Sequence, residues 1–275
     1  MKILDSGKFR WSSPSLFNDL TEFQRIPIIY PSIEDSFPDF VKTIVGYAFS
    51  EEIIDTAKIT PQGNFIIAFC KLSKENGLSE DQLIKELSEA IPYNPSTIFE
   101  DEIRKHVETW GNEFARVFCV TTDPQNEVMW AHYAEENSGC VLGLRHLPSY
   151  DTPLMAAKPI EYSNGPISIC SGLDFLLYGD NKDIRRKTFD AICFSKDEKW
   201  SYENEWRVVS WRNNEKGKKS GDYQFYQDEL ASVTFGAKTP DSLKEKITTI
   251  VNAKYENCSK YKMVVEKGKI SRIKT

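Results

Sequence analysis

No stretch of this chain approaches the ~20 apolar residues that a membrane span requires, and its first residues, Met1-Lys2-Ile3-Leu4-Asp5-Ser6-Gly7, lack the apolar core of a signal peptide. Histidine is scarce. Only His106, His132 and His146 are present, and neither a His-x-x-x-His nor a Cys-x-x-Cys pair exists, so the spacing for a zinc site is absent and no metal is expected. A Gly-rich phosphate loop and a Gly-x-Ser-x-Gly elbow are also missing, which removes the P-loop and the α/β-hydrolase nucleophile from consideration. Positive charge is in deficit. A net charge of -6 and a pI near 5.3 exclude general duplex binding, which rests on clustered Lys and Arg. The six cysteines are dispersed, mostly inside apolar runs, and read as reduced thiols rather than a disulfide frame. A cytoplasmic protein is expected.

What is present is enough for a core, with 40% hydrophobic residues over 275 positions. Apolar residues recur at helical spacing in Phe37 to Ile54, Asn64 to Leu72, Ser79 to Ile91 and Ile98 to Trp110. Ser79 with Gln82 three residues on has the form of a capping box. Strand patterns follow at Lys8 to Trp11, Arg116 to Thr121, Gly139 to Leu144, Ala156 to Tyr162, Glu205 to Trp211, Ala231 to Phe235 and Met263 to Glu266, with helices at Glu127 to Glu136, Ile184 to Ile192 and Ser242 to Val251. The expected fold is a single α+β domain over residues 1–275, with a mixed or antiparallel sheet core and a mainly helical insertion at about 33–112. Ile3-Leu4 stands without a preceding cap or turn, a pattern that suggests a lost N-terminal element or a late start of translation.

The densest stretch is Lys199-Trp200-Ser201-Tyr202-Glu203-Asn204-Glu205-Trp206-Arg207. If it is extended from Glu203, then Glu203, Glu205 and Arg207 share one face, while Trp206 and Val208 pack inward on the other. Paired carboxylates on a rigid strand serve acid/base or cation-stabilising chemistry, and the same pattern suits a solvated edge strand. Tyr202 and Trp200 offer rings for stacking on a planar ligand. In Met129-Trp130-Ala131-His132-Tyr133, the pattern makes Trp130 and Tyr133 core residues and His132 either a proton shuttle or a packed histidine. Trp11-Ser12-Ser13-Pro14-Ser15-Leu16-Phe17-Asn18-Asp19 reads as a binding loop after a strand, or as a turn-and-cap device. Arg185-Arg186-Lys187 and Lys216 to Lys219 are short basic clusters that a solvated surface explains.

Taken together, Ser13-Pro14 with Phe17-Asn18-Asp19, Met129-Trp130 with His132-Tyr133-Ala134 and Gly139, Ile160-Glu161-Tyr162, Lys199 to Glu203 with Glu205-Trp206-Arg207, and Phe235-Gly236 resemble a bacterial family catalogued as domain of unknown function 2971. Two departures stand out. Members usually open with a short strand bearing a Lys-Tyr or Arg-Tyr pair, which this chain lacks, and a His common before the Gly of the second block is Asn137 here. More distantly, Glu203-x-Glu205 is similar to the Glu-x-Glu motif of mono-ADP-ribosyltransferases. That resemblance implies NAD as co-substrate, Glu205 stabilising the oxocarbenium-like sugar as nicotinamide departs, and Glu203 directing the acceptor. The ligand cleft expected from these segments is formed by the Ser13-to-Asp19 loop, His132 and the Glu203-to-Arg207 strand, with Ser13, Asn18, Asp19, Tyr202 and Arg207 around the ligand and His132 beside the glutamates as a catalytic group. The alternative is a non-enzymatic sensor or toxin-like module that binds a protein or RNA.

Overall fold

The computed structural model describes residues 1–51, 55–90, 103–105, 107, 111–212, 215 and 217–275, with backbone alone at Asn112. Its strands in chain order are β1 Lys8–Ser12, β2 Ile28–Ile29, β3 Ala115–Thr121, β4 Cys140–Leu144, β5 Lys158–Pro159, β6 Glu161–Ser163, β7 Ser168–Cys170, β8 Ser195–Asp197, β9 Glu205–Trp211, β10 Ser220–Gln224, β11 Leu230–Phe235, β12 Ser259–Glu266 and β13 Lys269–Lys274. The fold is α+β, and the chain divides into two compact units. The first comprises Met1–Glu22, Thr109–Asn164 and Phe194–Thr275, and the second Phe23–Glu108 and Gly165–Cys193.

Within the first unit, a five-stranded sheet runs in the order β10-β1-β3-β9-β5 and a four-stranded sheet in the order β13-β12-β11-β4. β9 lies between β3 and β5, antiparallel to both. The four-stranded sheet is mixed, because β11 pairs parallel with β12 and antiparallel with β4. A parallel pair needs a crossover, supplied by the Asp241–Lys254 helix. Period-2 alternation builds the core that joins these elements: Phe9 and Trp11 from β1, Val208 from β9 and Val233 and Phe235 from β11 are buried with Ile247 and Val251 of that helix.

In the second unit the helices Ile33–Phe49, Pro61–Glu75, Glu80–Ala90 and Gly172–Tyr178 bury Val41, Ile44, Val45, Ile67, Cys70, Leu83 and Leu177 together. The apolar spacing of Phe40, Val41, Ile44 and Ala48 explains the first of these. Gly172 begins the last because a Cβ there would lie 2.3 Å from the Ser32 carbonyl oxygen. Residues 165–193 thus belong with the helices near 33–90, a grouping that the sequence pattern did not make. The Ser79 capping box is present in both directions, with Ser79 N donating to Gln82 Oε1 at 2.9 Å and Gln82 N to Ser79 Oγ at 3.3 Å. Much of the helix read at Ile98 to Trp110, together with His106, Ile54 and Ile91, lies outside the described residues.

Three readings of local structure are corrected. The helix placed at Glu127 to Glu136 ends at Tyr133, since Glu135, Glu136 and Asn137 take left-handed φ of 48°, 52° and 71°. The strand placed at Ala156 to Tyr162 is two short strands on different partners, β5 beside β9 and β6 beside β8. Asn213 to Gly221, a polar, Lys- and Gly-rich sequence that reads as a loop or hairpin tip, gives way to β10 at Ser220, which pairs with β1.

Candidate active site

Three segments far apart in the sequence converge in the first unit. The first follows β1. Ser13, fully buried, caps the short turn Pro14–Leu16 by accepting from Ser15 N, and the chain beyond it presents Phe17, Asn18, Asp19 and Glu22. The second is the Glu127–Tyr133 helix, started by the Asn126 side chain. The third runs from β8 to β9 through a 3-10 turn at Glu198–Glu203, which Asp197 caps and Asn204 closes with left-handed φ 44° and ψ 48°.

That turn revises the reading of a continuous strand from Glu203. Glu203 ends the 3-10 turn, and only Glu205 and Arg207 alternate on β9. The faces are also reversed in burial: Glu205 and Arg207 are enclosed, and Val208 is in the core as expected, but Trp206 is 36% exposed. Trp206 sits near the end of β9, opposite Val120 and Pro159, where the two-residue β5 covers little of it.

The enclosed face holds a five-membered charge cluster. Lys196, buried on β8, brings Nζ to Glu22 Oε1 at 2.9 Å, Glu203 Oε2 at 2.5 Å and Glu205 Oε2 at 3.0 Å. Arg207 donates from Nη2 to Glu22 Oε2 at 2.5 Å and from Nε to Glu205 Oε1 at 2.5 Å. The Tyr133 hydroxyl donates to Glu203 Oε1 at 2.8 Å, and the Tyr162 hydroxyl accepts from Glu205 N at 2.9 Å. Aromatic faces close the cations in, with Lys196 Nζ 4.9 Å from the Trp200 ring centre and Arg207 Cζ 5.5 Å from that of Phe17.

Three carboxylates meet two cations here, so the cluster holds one negative charge in excess. Its carboxyls respond differently. Burial drives the Glu22 carboxyl above its ordinary 4.5, against the pull of Arg207 and Lys196. Burial acts on Glu205 in the same sense, but Arg207 and Lys196 outweigh it and hold that carboxyl down at about 2. Lys196 loses stability as an ion through burial, yet the surrounding glutamates raise it above its usual value. The shared surroundings thus push the two carboxyls apart, Glu22 taking a proton more readily than Glu205. A pH dependence follows. Between about pH 4.5 and 2 the unfolded chain binds a proton at Glu205 that the folded chain refuses, so this contribution to stability is present above pH 4.5 and lost on acidification. Unfolding free energy should fall with pH across that window in the native protein, and less steeply in Glu205→Gln, as read by urea titrations at successive pH values.

The cluster lines a cleft of about 1000 Å³, together with Asp19, Cys119, Met129, Trp130, Tyr133 and Trp200. All residues from Val117 to Thr121 border it, so the space reaches both faces of β3. Cys119 faces Arg207 across the β3–β9 pair and is exposed to this space. Enclosure by the concave wall and the charge of Glu205 push its thiol well above 9, which suits a hydrogen-bond donor to Glu205 and not a nucleophile. Asp19 takes both the N–H and the hydroxyl of Thr21 on Oδ1, at 2.9 and 2.8 Å, while among the described residues neither its buried Oδ2 nor the buried Trp200 Nε1 has a partner.

Of the side chains singled out in the sequence, Glu203, Glu205 and Arg207 meet in the cluster, Asp19 and Asn18 border the cleft, and Asn18 hydrogen-bonds Tyr133. Ser13 acts as the buried cap of the loop. Tyr202 lies outside the cleft lining, its ring 6.4 Å from that of His132 and its carbonyl accepting from Asn126 Nδ2. His132 is exposed and does not line the cleft; the helical turn instead aims Tyr133, read as a packing residue, at Glu203. Trp130 is core, 2% exposed, with Nε1 donating to Pro124 O at 2.9 Å. Trp130→Ala should therefore lower stability by about 3–5 kcal/mol, and His132→Ala should leave the melting temperature nearly unchanged. Equal losses in thermal unfolding would contradict this placement.

Lys196 and Glu22 escaped the sequence reading. Lys196 follows the apolar run Ala191 to Phe194, where a lysine entering a buried strand signals a carboxylate partner. Among the described residues no group of three or more His, Cys, Asp or Glu could hold a metal ion, and no helix is long and apolar enough to cross a membrane. The basic cluster at Arg185 and Arg186 is paired in solvent with Asp180 and Asp183. In comparisons with known proteins, no family model, curated protein or solved structure matches the chain.

Proposed function

We propose that the cleft is an enzymatic site for glycosyl-type transfer from a nucleotide, of the kind in which NAD donates ADP-ribose. The observation that carries this reading is the single excess negative charge held among Glu22, Glu203, Glu205, Lys196 and Arg207 at the cleft wall. A buried excess charge is costly unless a proton or a cation joins it, and a sugar carbon that turns cationic as its leaving group departs supplies the second. The unpartnered Asp19 Oδ2 and Trp200 Nε1 fit a ligand that carries both a donor and an acceptor.

In this scheme Glu205 keeps its charge beside the sugar carbon while the C–N glycosidic bond breaks and nicotinamide leaves with the bonding pair. Glu203, positioned by Tyr133 and Lys196, orients the acceptor nucleophile. Glu22 receives the acceptor's proton as the new bond to the sugar forms, in keeping with its raised pKa. The test pairs thermal unfolding with and without NAD, because binding to the folded state raises apparent stability by mass action, with a labelled-NAD transfer assay on a host lysate. A stability shift and transferred label are expected.

One observation favours a non-enzymatic binding module: all six oxygens of Glu22, Glu203 and Glu205 already accept from Lys196, Arg207 or Tyr133. Absence of both the NAD shift and the transfer would select that role.

A further inference from the structure

We propose that Arg272 anchors the diphosphate of a nucleotide in this cleft. The inference rests on the nucleotide reading of the same site and adds a substrate class, a phosphate-bearing ligand, and a residue that selects it.

Arg272 lies on β13 and lines the cleft. Two of its N–H groups are spent on hydroxyls, Nε donating to Thr234 Oγ1 at 2.9 Å and Nη2 to Ser232 Oγ at 3.1 Å. Gly143 stands opposite Ser232, where a Cβ would lie 2.3 Å from Oγ, so the hydroxyl is free to face the guanidinium. The guanidinium stacks with Cζ 3.5 Å from the centre of the Tyr261 ring, and Gln125 Oε1 accepts from the Arg272 backbone N at 3.0 Å. Its plane and position are therefore fixed by neutral groups. No carboxylate pairs with it among the described residues.

That is unusual company for an arginine in a chain of net charge -6. The other enclosed arginine of the cleft, Arg207, is saturated by glutamates, whereas Arg272 keeps Nη1 uncommitted and is partly exposed. A preoriented planar fork with unused donors matches two phosphate oxygens. The local field agrees. Between Ser259 and Thr275 stand Lys260, Lys262, Lys267, Lys269, Arg272 and Lys274 against Glu266 alone, so the β12–β13 hairpin is basic where the rest of the chain is acidic. Carboxylates on one wall and a guanidinium on another suit a ligand that is cationic at its reacting end and anionic along its body.

Calorimetric titration of the full chain with ADP, pyrophosphate, adenosine and a single-stranded RNA tests the proposal. ADP and pyrophosphate should bind, adenosine much more weakly, and Arg272→Gln should lose roughly 10- to 100-fold in ADP affinity with adenosine unaffected. Arg272→Lys, which keeps the charge and loses the fork, should fall between and serves if Arg272→Gln does not fold. Equal ADP affinity in the native protein and both variants, or binding of RNA without ADP, would overturn the assignment. Loss of ADP affinity in Arg272→Gln with no NAD turnover by the native protein would sink the transfer reaction while leaving the phosphate anchor in place.

Discussion

Lys196→Met is expected to lower the unfolding free energy by about 3–5 kcal/mol, the range for removing one partner of a buried ion pair. The reason is specific to this site. Lys196 Nζ contacts all three glutamates of the cluster, and its side chain is only 6% exposed, so its loss leaves Glu22 and Glu205 to Arg207 and Glu203 to the Tyr133 hydroxyl. Methionine fills most of the volume, which separates the charge effect from a cavity. Urea unfolding at neutral pH reads the loss directly. Because the strain is excess negative charge, adding Glu203→Gln to the variant should restore part of it, and lowering the pH should narrow the gap by protonating Glu22 first, whose pKa is already raised. A Lys196→Met protein as stable as the native one would mean that water reaches the cluster and screens it.

Glu205→Gln is expected to cut turnover in the NAD transfer assay by about 10²–10³, the usual effect of losing one preorganised electrostatic group. The geometry also sets what else must be measured. Glu205 Oε1 accepts from Arg207 Nε, and Oε2 accepts from Lys196 Nζ and Arg207 Nη2. A glutamine amide must turn its NH₂ toward one of those donors, so some stability will be lost together with the charge. The informative quantity is the rate per folded molecule, taken well below the variant's melting temperature. An unchanged rate would remove Glu205 from the chemistry and leave it a structural ion.

The strands and helices were largely legible because their signal is local. Alternation in Arg116 to Thr121 and helical spacing in Phe37 to Phe49 are enough to place those elements, and the cap at Ser79 is a three-residue pattern. The site was half legible for the same reason. Glu203, Glu205 and Arg207 announce themselves by density within one segment, and Asp19 by its turn. Lys196 and Glu22 do not, because a lone lysine or glutamate becomes informative only when it is seen to be buried, and burial here is decided by segments about 180 residues apart. The burial of the Glu205 and Arg207 face, with Trp206 left outside, has the same origin: alternation separates the two faces of a strand but does not say which one the rest of the chain covers. His132 illustrates the converse. Its position beside Tyr133 on a helix was read correctly, but a rotation of about 100° per residue sends one side chain to the cleft and the next to solvent.

The pairing of β1 with β10 has a consequence for how the molecule is made. Lys8 meets Gln224 and Ser12 meets Ser220, so β1 waits for a neighbour that leaves the ribosome more than 200 residues after it. At ~5–20 residues per second that delay is roughly ten to forty seconds. Until then β1 has only β3 beside it, paired at Ser12 and Val117, and closing so long a segment carries an entropic cost that local helices do not meet. The helices at Ile33–Phe49, Pro61–Glu75 and Glu80–Ala90 rely on contacts among near neighbours in sequence and can gather during that interval. Assembly of the acidic cleft is thereby deferred until β8, β9 and β10 arrive in quick succession.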